Sequence, residues 1–216
     1  MILGYWNLKA RAEATRILLA HTKQDYKEEN PQSFEEWGKQ KSAMDFDFPN
    51  LPYLKDGDLK LTNSKVIFRY IAERSGDNSL LGNNPKERAR ISMFTDVLEE
   101  LFTINFKTIG SDDALKTYQG LLDKTIVPFL TQLEKVASDD SFLLGNLTVC
   151  DFKLYIAREI IGIWSDALKI DDPFNKCKKL LAVVDRFKQL PEIKKYLASD
   201  NAKRPFVVPF VLPKLK

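Results

Sequence analysis

Few side chains in this sequence could do chemistry, and the set excludes several mechanisms. The chain has one histidine, His21, and two cysteines, Cys150 and Cys177. A histidine-rich metal site and a relay between histidines are therefore excluded. The cysteines have neither zinc-ligand spacing nor a Cys-x-x-Cys arrangement, so a thioredoxin-like oxidoreductase is also disfavoured. Chemistry must come from other groups, and the first candidate is a tyrosine near the amino terminus.

Tyr5 lies in a short apolar run, residues 2–6, that predicts a strand, and a helical pattern follows over residues 10–22. In open α/β sheets, ligands gather at the carboxyl ends of strands. A tyrosine hydroxyl there can donate a hydrogen bond to an anion. The alternative from position alone is a core aromatic residue whose hydroxyl finds a polar partner at the rim.

Pro52 and Ser64 could bind an extended anionic ligand in the same part of the chain. A cis bond before Pro52 would turn the Leu51 backbone outward to pair with a peptide-like ligand, although only ~5% of X-Pro bonds are cis. Ser64 opens a predicted helix, where its hydroxyl and the free amides of the first turn could hold a carboxylate. A plain helix N-cap is the other explanation for this serine.

The elements that would position these residues change in character near residue 80. Before it, the predicted strands are 2–6, 25–28, 51–54 and 59–61, and the predicted helices are 10–22, 34–41 and 64–74. After Pro85, the patterns are helical only, over residues 87–108, 113–136, 148–163, 175–190 and 191–198. Thr148 and Asp151 form a capping-box pattern at the start of the third of these helices. We therefore expect an α/β domain over residues 1–78 and an all-helical domain over residues 79–216.

Composition limits the class of partner. The chain has 216 residues, with 33 Lys and Arg against 30 Asp and Glu, a formal net charge of +3. This balance argues against a dedicated nucleic-acid binder. No apolar run approaches the ~20 residues that span a bilayer, and the first residues do not read as a secretory signal. With two free thiols, we expect a cytoplasmic protein that binds neither membranes nor nucleic acid.

Four segments together resemble one known family. They are residues 1–6 (MILGYW), residues 47–54 (DFPNLPYL), residues 61–72 (LTNSKVIFRYIA) and residues 144–152 (LGNLTVCDF). This combination resembles the glutathione transferases, most closely the mu class, and the resemblance spans essentially the whole chain. It implies an α/β plus all-α fold, in which a thioredoxin-like domain with a mixed four-stranded sheet precedes a helical-bundle domain that forms a hydrophobic electrophile site. It also implies a homodimer with Phe48 at its interface.

The resemblance further implies how glutathione would bind. Tyr5 would donate a hydrogen bond to the glutathione sulfur, with Trp6 beside it. Trp37 and Lys41 would hold the glycine carboxylate, and Leu51, beside Asn50 and a cis Pro52, would pair with the cysteinyl backbone. Asn63 and Ser64 would bind the γ-glutamyl end. Asp96 or Glu100 would reach the glutathione amine of the neighbouring subunit.

The chain also departs from the mu-class pattern. Arg11 replaces an apolar residue close to the sulfur, where it would either favour the thiolate or reach into solvent. Ala10 replaces a glycine, and Phe34 replaces a basic residue. Gly110 stands where many mu enzymes have a tyrosine for the second substrate. Residues 26–37 are too few for the long loop of vertebrate mu enzymes.

The energetics of thiolate formation need no metal or cofactor. A free thiol titrates near ~8.5, and lowering its pKa by about two units needs about 3 kcal/mol. A charge-assisted hydrogen bond supplies roughly 1.5–3 kcal/mol, and a helix N-terminus up to ~1 kcal/mol more. The favoured hypothesis is an enzyme that adds glutathione, as co-substrate, to hydrophobic electrophiles. A glutathione-dependent isomerase or peroxidase, a ligand carrier and an interaction module remain the alternatives.

Overall fold

A mixed four-stranded sheet organises the first part of the chain. The computed structural model describes residues 1–109 and 113–207. The strands are β1 (Ile2–Gly4), β2 (Lys27–Glu29), β3 (Tyr53–Asp56) and β4 (Leu59–Thr62), in the spatial order β2-β1-β3-β4. β1 runs parallel to β2 and antiparallel to β3, and β3 and β4 form an antiparallel hairpin. This is the mixed sheet that the resemblance implies.

Three helices complete this first part: α1 (Ala10–His21), α2 (Phe34–Ala43) and α3 (Ser64–Arg74). α1 and α3 pack against each other, and their apolar faces bury Ile17, Leu18 and Ile67 completely. Gly4 ends β1 against the ring of Tyr53, where an added Cβ would lie 2.1 Å from the ring carbon Cζ. Only glycine allows the chain to pass this ring.

The second part of the chain is helical. Its longer helices are α4 (Pro85–Ile109), α5 (Ala114–Leu121), α6 (Val127–Val136), α7 (Val149–Leu168), α8 (Lys178–Lys188) and α9 (Pro191–Leu197). α7 is central and contacts α1, α4 and α8, and its Phe152 and Trp164 are fully buried. Within residues 1–109 and 113–207, no helix combines the length and apolar character needed to cross a bilayer.

The helix predicted over residues 113–136 is not a continuous α-helix. A π-helical turn, Leu122–Ile126, separates α5 from α6. Pro128 follows this turn; it has no N–H to donate and its ring would clash with a carbonyl one turn earlier, which a widened turn relieves. The helix predicted from residue 175 begins instead with a short 3-10 turn, Pro173–Lys176, before α8.

The capping box at the start of α7 is confirmed. Thr148 is the N-cap, and its hydroxyl accepts a hydrogen bond from the Cys150 N–H at 3.3 Å. The Asp151 carboxylate accepts the backbone N–H groups of Leu143 and Thr148, both at 2.8 Å. Burial nevertheless raises the pKa of Asp151 to about 6. This buried carboxylate fixes the loop before α7 to the helix itself.

Candidate active site

Tyr5 follows β1 directly and is 5% exposed. Its hydroxyl oxygen accepts a hydrogen bond from the Arg11 backbone N–H, with 3.4 Å between oxygen and nitrogen. Burial raises the pKa of Tyr5, and this outweighs the lowering by the Arg11 amide and by the positive charges of Arg11 and Arg16. The phenol therefore stays protonated at neutral pH. Because the oxygen accepts from Arg11, its own hydrogen can be donated to an anion.

Arg16 fixes the loop between β1 and α1. Its fully buried guanidinium donates to the carbonyl oxygens of Leu8 at 2.7 Å and Trp6 at 3.3 Å. It also donates to the Glu28 carboxylate, at 3.2 Å. Its Cζ lies 5.9 Å from the centroid of the Tyr5 ring. The loop between Tyr5 and α1 is thus held by a buried guanidinium whose N–H groups already donate to protein acceptors.

The carboxyl-terminal segment caps the first helix. No side chain caps α1, and the N–H groups of Lys9 and Ala10 donate to the carbonyls of Pro205 at 2.9 Å and Phe206 at 3.1 Å. Ala10 has a φ of 32°, in the left-handed region that a non-glycine residue seldom adopts. A segment almost 200 residues away therefore holds the start of the helix that positions Tyr5.

A cleft of about 680 Å³ lies between the starts of α1 and α3 and the middle of α4. It brings together five of the residues predicted to bind glutathione: Arg11, Asn63, Ser64, Asp96 and Glu100. Asp96 accepts a hydrogen bond from Lys65 at 2.8 Å, which raises the pKa of that lysine. Glu100 is exposed and forms no salt bridge within the described residues.

Ser64 is not the N-cap of α3, so the plain capping interpretation is wrong. Asn63 is the cap: its φ is 75° and its side-chain oxygen accepts the Lys65 N–H at 3.0 Å. Ser64 is the first residue of the helix and is 6% exposed. Its hydroxyl makes no hydrogen bond to any residue in the described part of the chain. A hydroxyl without a protein partner, at a helix N-terminus, is thus available to a ligand.

The other predicted residues do not line this cleft. Leu51 packs in the cluster that contains Tyr5, and the Leu51–Pro52 bond is cis. The Asn50 side-chain oxygen accepts the Leu51 N–H at 2.9 Å. On α2, Trp37 stacks on Tyr53 at 6.5 Å, and Lys41 is exposed. Trp6 packs edge-on against Phe34, which is 69% exposed, with 5.2 Å between the ring centroids.

Comparison with known proteins identifies the family. Residues 1–73 match the family model for the glutathione S-transferase N-terminal domain, and residues 95–200 match the model for its C-terminal domain. The class-mu 26 kDa isozyme of Schistosoma mansoni is 33% identical over 201 residues, which covers 92% of this chain and 88% of that protein. The chain belongs to the glutathione S-transferase family.

Further relatives agree with the mu-class resemblance. Human glutathione S-transferase Mu 3 is 32% identical over 211 residues, covering 93% of this chain and 89% of that protein. The crystal structure of the glutathione S-transferase Blo t 8 superposes with a TM-score of 0.82 at 27% identity, and the match covers 97% of this chain and 98% of that one. The expected family and fold are therefore confirmed.

Sequence reasoning missed an aromatic wall in this glutathione S-transferase. Phe102 and Phe106 of α4 are stacked with 5.5 Å between centroids, and Phe206 lies 6.4 Å from Phe102. Phe106 also packs against the cluster around Tyr5. The spacing of Phe102 and Phe106, four residues apart on a predicted helix, is a signal that could have found this pair.

Arg11 does not extend into solvent. Its side chain is 29% exposed, and its Cζ lies 5.6 Å from the centroid of Phe102 and 5.2 Å from that of Phe106. Its Nη1 lies 3.6 Å from a Glu99 oxygen, and the other Glu99 oxygen accepts from Lys153 at 2.7 Å. Glu99 and Lys153 were not predicted; their charges meet from α4 and α7.

Neither cysteine of this glutathione S-transferase is placed for reaction. Cys150 and Cys177 are both buried. Burial raises the pKa of the Cys150 thiol to about 11, so the thiol stays protonated and unreactive. Among residues 1–109 and 113–207, no group of three or more metal-ligating side chains lies close enough to hold a metal ion. The predicted Gly110 position lies outside the described residues.

Proposed function

We propose that this glutathione S-transferase adds the glutathione thiolate to hydrophobic electrophiles, with Tyr5 as its catalytic residue. The observation that carries the proposal is the Tyr5 hydroxyl, buried, protonated and already accepting from the Arg11 N–H. Such a hydroxyl has one hydrogen left for the sulfur. It favours the thiolate by the roughly 1.5–3 kcal/mol of a hydrogen bond to a charged group.

Glutathione then binds with its γ-glutamyl end at the start of α3. Ser64 offers a hydroxyl that has no partner among the described residues, and Asn63 keeps its side-chain N–H groups after its oxygen has capped the helix. Leu51 pairs with the cysteinyl backbone, next to Asn50, Pro52 and Trp6. Trp37 and Lys41 of α2 take the glycine carboxylate. Asp96 or Glu100 serves the glutathione amine of a neighbouring subunit; the Lys65 contact to Asp96 favours Glu100.

The electrophile binds against Phe106, the partly exposed ring of the aromatic wall, which packs against the cluster of Tyr5, while Phe102 and Phe206 are buried and support that ring. Binding the electrophile there turns a bimolecular reaction into an effectively unimolecular one between two bound groups. In the reaction the thiolate sulfur forms a bond to the electrophilic carbon, and a halide leaves or a ring or double bond opens. Detoxification of apolar compounds in the cytoplasm is the role that fits this chemistry. Glutathione is the co-substrate, and no step needs another cofactor.

The protein works as a homodimer in this proposal. Phe48 is 79% exposed, a costly position for a large apolar side chain. An apolar cavity of about 500 Å³ opens between α4 and α6, lined by Met93, Phe94, Val97, Phe129, Leu133 and Val136. Phe48 of one copy inserts into this cavity of the other. A two-fold dimer makes the contact twice.

The proposed domain division follows the expectation from the sequence. Residues 1–78 form the glutathione-binding domain, and residues 79–216 form the helical domain that contributes the electrophile site. Residues 75–79, which precede the helical part, are polar and contain the short turn after α3.

A conjugation assay tests the activity directly. Purified protein, glutathione and a chlorodinitrobenzene acceptor should give the thioether and chloride, with a rate that saturates in both substrates. Retention on immobilised glutathione without turnover would support a ligand carrier instead. Turnover only with peroxide or isomerisable substrates would support the other enzymatic alternatives.

A further inference from the structure

Two arginines lie next to Tyr5, and only one of them is committed to the fold. Arg16 is fully buried and donates to two carbonyls and to Glu28. Arg11 differs: throughout residues 1–109 and 113–207, no acceptor receives a hydrogen bond from its guanidinium. Its contact with Glu99, at 3.6 Å, is longer than a hydrogen bond. A partly buried cation with free donors therefore faces the cleft.

Arg11 lines the cleft and also contacts the aromatic wall against which the electrophile is proposed to bind. The guanidinium carbon lies over both rings of the stacked pair Phe102 and Phe106. These rings hold the flat face of the cation by cation–π attraction and leave the N–H groups at its rim. The backbone of the same residue holds Tyr5. Arg11 thus contacts the aromatic wall through its guanidinium and Tyr5 through its backbone.

Arg11 and its nearest charged neighbours, Glu99 and Lys153, together carry a positive charge. Glu99 is shared: one of its oxygens accepts from Lys153 at 2.7 Å, and the other faces Arg11. Two cations and one carboxylate leave one positive charge. Of the other two acids of the cleft, Asp96 pairs with Lys65, and Glu100 is exposed and is proposed to bind the glutathione amine. A half-buried charge of this kind is screened less than one on the open surface.

We propose that Arg11 is a specificity-determining residue that selects electrophiles carrying a carboxylate on their apolar body. The inference rests on the proposed function, because it concerns the second substrate of the same site. The apolar body packs on the partly exposed ring of Phe106, and the carboxylate accepts N–H groups of the Arg11 guanidinium, in the paired geometry that guanidinium and carboxylate favour. The carboxylate does not react; it orients the electrophilic carbon toward the sulfur.

A pair of acceptors that differ only in charge tests this. One is a chloronitrobenzoate with the nitro group ortho to the chlorine and the carboxylate para to it; the other is the matching amide. In both, sulfur bonds to the ring carbon, chloride leaves with the bonding electrons, and the thiol proton goes to solvent. Each enzymatic kcat/KM is divided by the uncatalysed rate with glutathione, which removes the difference in intrinsic reactivity.

Arg11→Met should lower the normalised kcat/KM for the benzoate about tenfold more than that for the amide, corresponding to one hydrogen-bonded ion pair. Arg11→Lys should retain part of the preference, and Glu99→Gln should shift it toward the benzoate. A variant that only loses its fold would lower both rates, so it could not change the benzoate preference in opposite directions in Arg11→Met and Glu99→Gln. Lys188→Met, which removes an exposed charge on α8, should change neither rate.

The outcomes separate this inference from the proposed function. If Arg11→Met lowers both rates equally and moves the pH profile for the amide, Arg11 acts on the thiolate and the inference is wrong while the transferase stands. If the ratio is the same in all variants, Arg11 has no role in selection. If the unaltered enzyme conjugates neither acceptor nor chlorodinitrobenzene, the proposed function fails and the inference fails with it.

Discussion

The Tyr5 hydroxyl oxygen lies 3.4 Å from the backbone nitrogen of Arg11, the second residue of α1. The geometry assigns one hydrogen bond to the oxygen as acceptor and leaves the hydroxyl hydrogen for another group. The dipole of α1, whose positive end lies at this start of the helix, also favours negative charge nearby. Because burial raises the pKa of Tyr5, the phenol is a hydrogen-bond donor at neutral pH and not a base.

Tyr5→Phe should therefore lower kcat about 10- to 100-fold, the value of one hydrogen bond to a charged group. Glutathione affinity should change little. Loss of thiolate stabilisation raises the pKa of the bound thiol. With glutathione saturating, the acid limb of kcat/KM for the electrophile against pH should therefore move up toward ~8.5. In the unaltered enzyme no falling limb from Tyr5 is expected below pH 10, since its pKa lies above that of free tyrosine. Steady-state kinetics across pH measure this.

Tyr118→Phe is the matched control. Tyr118 is fully buried in α5, and its hydroxyl has no hydrogen-bond partner within the described residues. Removing that hydroxyl should leave turnover and the pH profile unchanged. An unaltered pH profile in Tyr5→Phe would contradict the assignment of Tyr5 and indicate that another group makes the thiolate.

Ser64→Ala should weaken glutathione binding about tenfold, because it removes a hydroxyl from a charged ligand, and should leave kcat at saturation within about twofold. Since Asn63 caps α3, Ser64→Ala should leave the thermal midpoint unchanged. Asn63→Ala should instead cost about 1 kcal/mol of stability. Calorimetric titration and thermal unfolding of both variants separate the two roles. A pure rate defect in Ser64→Ala would contradict the binding role.

The elements predicted from the sequence are those that depend on residues close together in the chain. Periodicity placed α3 over residues 64–74, and the Thr148–Asp151 pattern placed the start of α7, because each depends on neighbours within one or two turns. The positions of Tyr5 and Ser64 followed from the ends of a strand and a helix. The π-helical turn before Pro128 was missed, although proline in a helical run is a local warning.

The contacts that complete the site could not be read from the sequence, because their partners are distant along the chain. Phe206 caps Ala10 through a carbonyl, and no side-chain pattern specifies that contact. Glu99 meets Lys153 only because α4 and α7 pack together. The direction of the Arg11 side chain depends on the same packing. Tertiary structure, not local propensity, decides which charged residues face the cleft.

Phe48→Ser should weaken the proposed dimer by at least about 100-fold in Kd. Burying a phenylalanine is worth about 2–3 kcal/mol, and a two-fold dimer makes the contact twice. Met93→Glu, which puts a charge into the receiving cavity, should weaken it as well. Sedimentation velocity over a concentration series measures the dissociation constant.

Leu59→Ser is the control for the Phe48 prediction. Leu59 is an exposed apolar residue of β4, 40% accessible, and is assigned no contact in the proposed dimer. It should leave the sedimentation coefficient unchanged. A Phe48→Ser protein that still sediments as the unaltered dimer at every concentration would remove Phe48 from the interface.

Arg204→Met tests whether the carboxyl-terminal segment supports catalysis through the start of α1. Arg204 donates to Glu28 at 2.9 Å, next to the carbonyls of Pro205 and Phe206 that accept from Lys9 and Ala10. Removing this hydrogen bond to a charged group should destabilise the fold by about 2 kcal/mol, because Glu28 keeps its contact with Arg16. It should also lower kcat several-fold with little effect on glutathione affinity, because the Arg11 amide loses its fixed position. Arg204→Lys should restore part of the stability and part of kcat. Lys203→Met, at an exposed neighbouring residue, should change neither stability nor kcat.

The stability effect of Arg204→Met should depend on pH. Burial acts to raise the pKa of Glu28, but Arg16 and Arg204 outweigh it and hold that pKa below its ordinary value. The pair therefore contributes to the free energy of unfolding above the pKa of Glu28 in the unfolded chain, ~4.3. This contribution is lost as pH falls through the lower pKa of Glu28 in the folded protein. Urea unfolding at pH 7 should separate Arg204→Met from the unaltered protein, and the difference should shrink near pH 3. A difference that is constant over this range would mean that Arg204 stabilises the segment by packing, because an ion pair with Glu28 must weaken when the carboxylate is protonated.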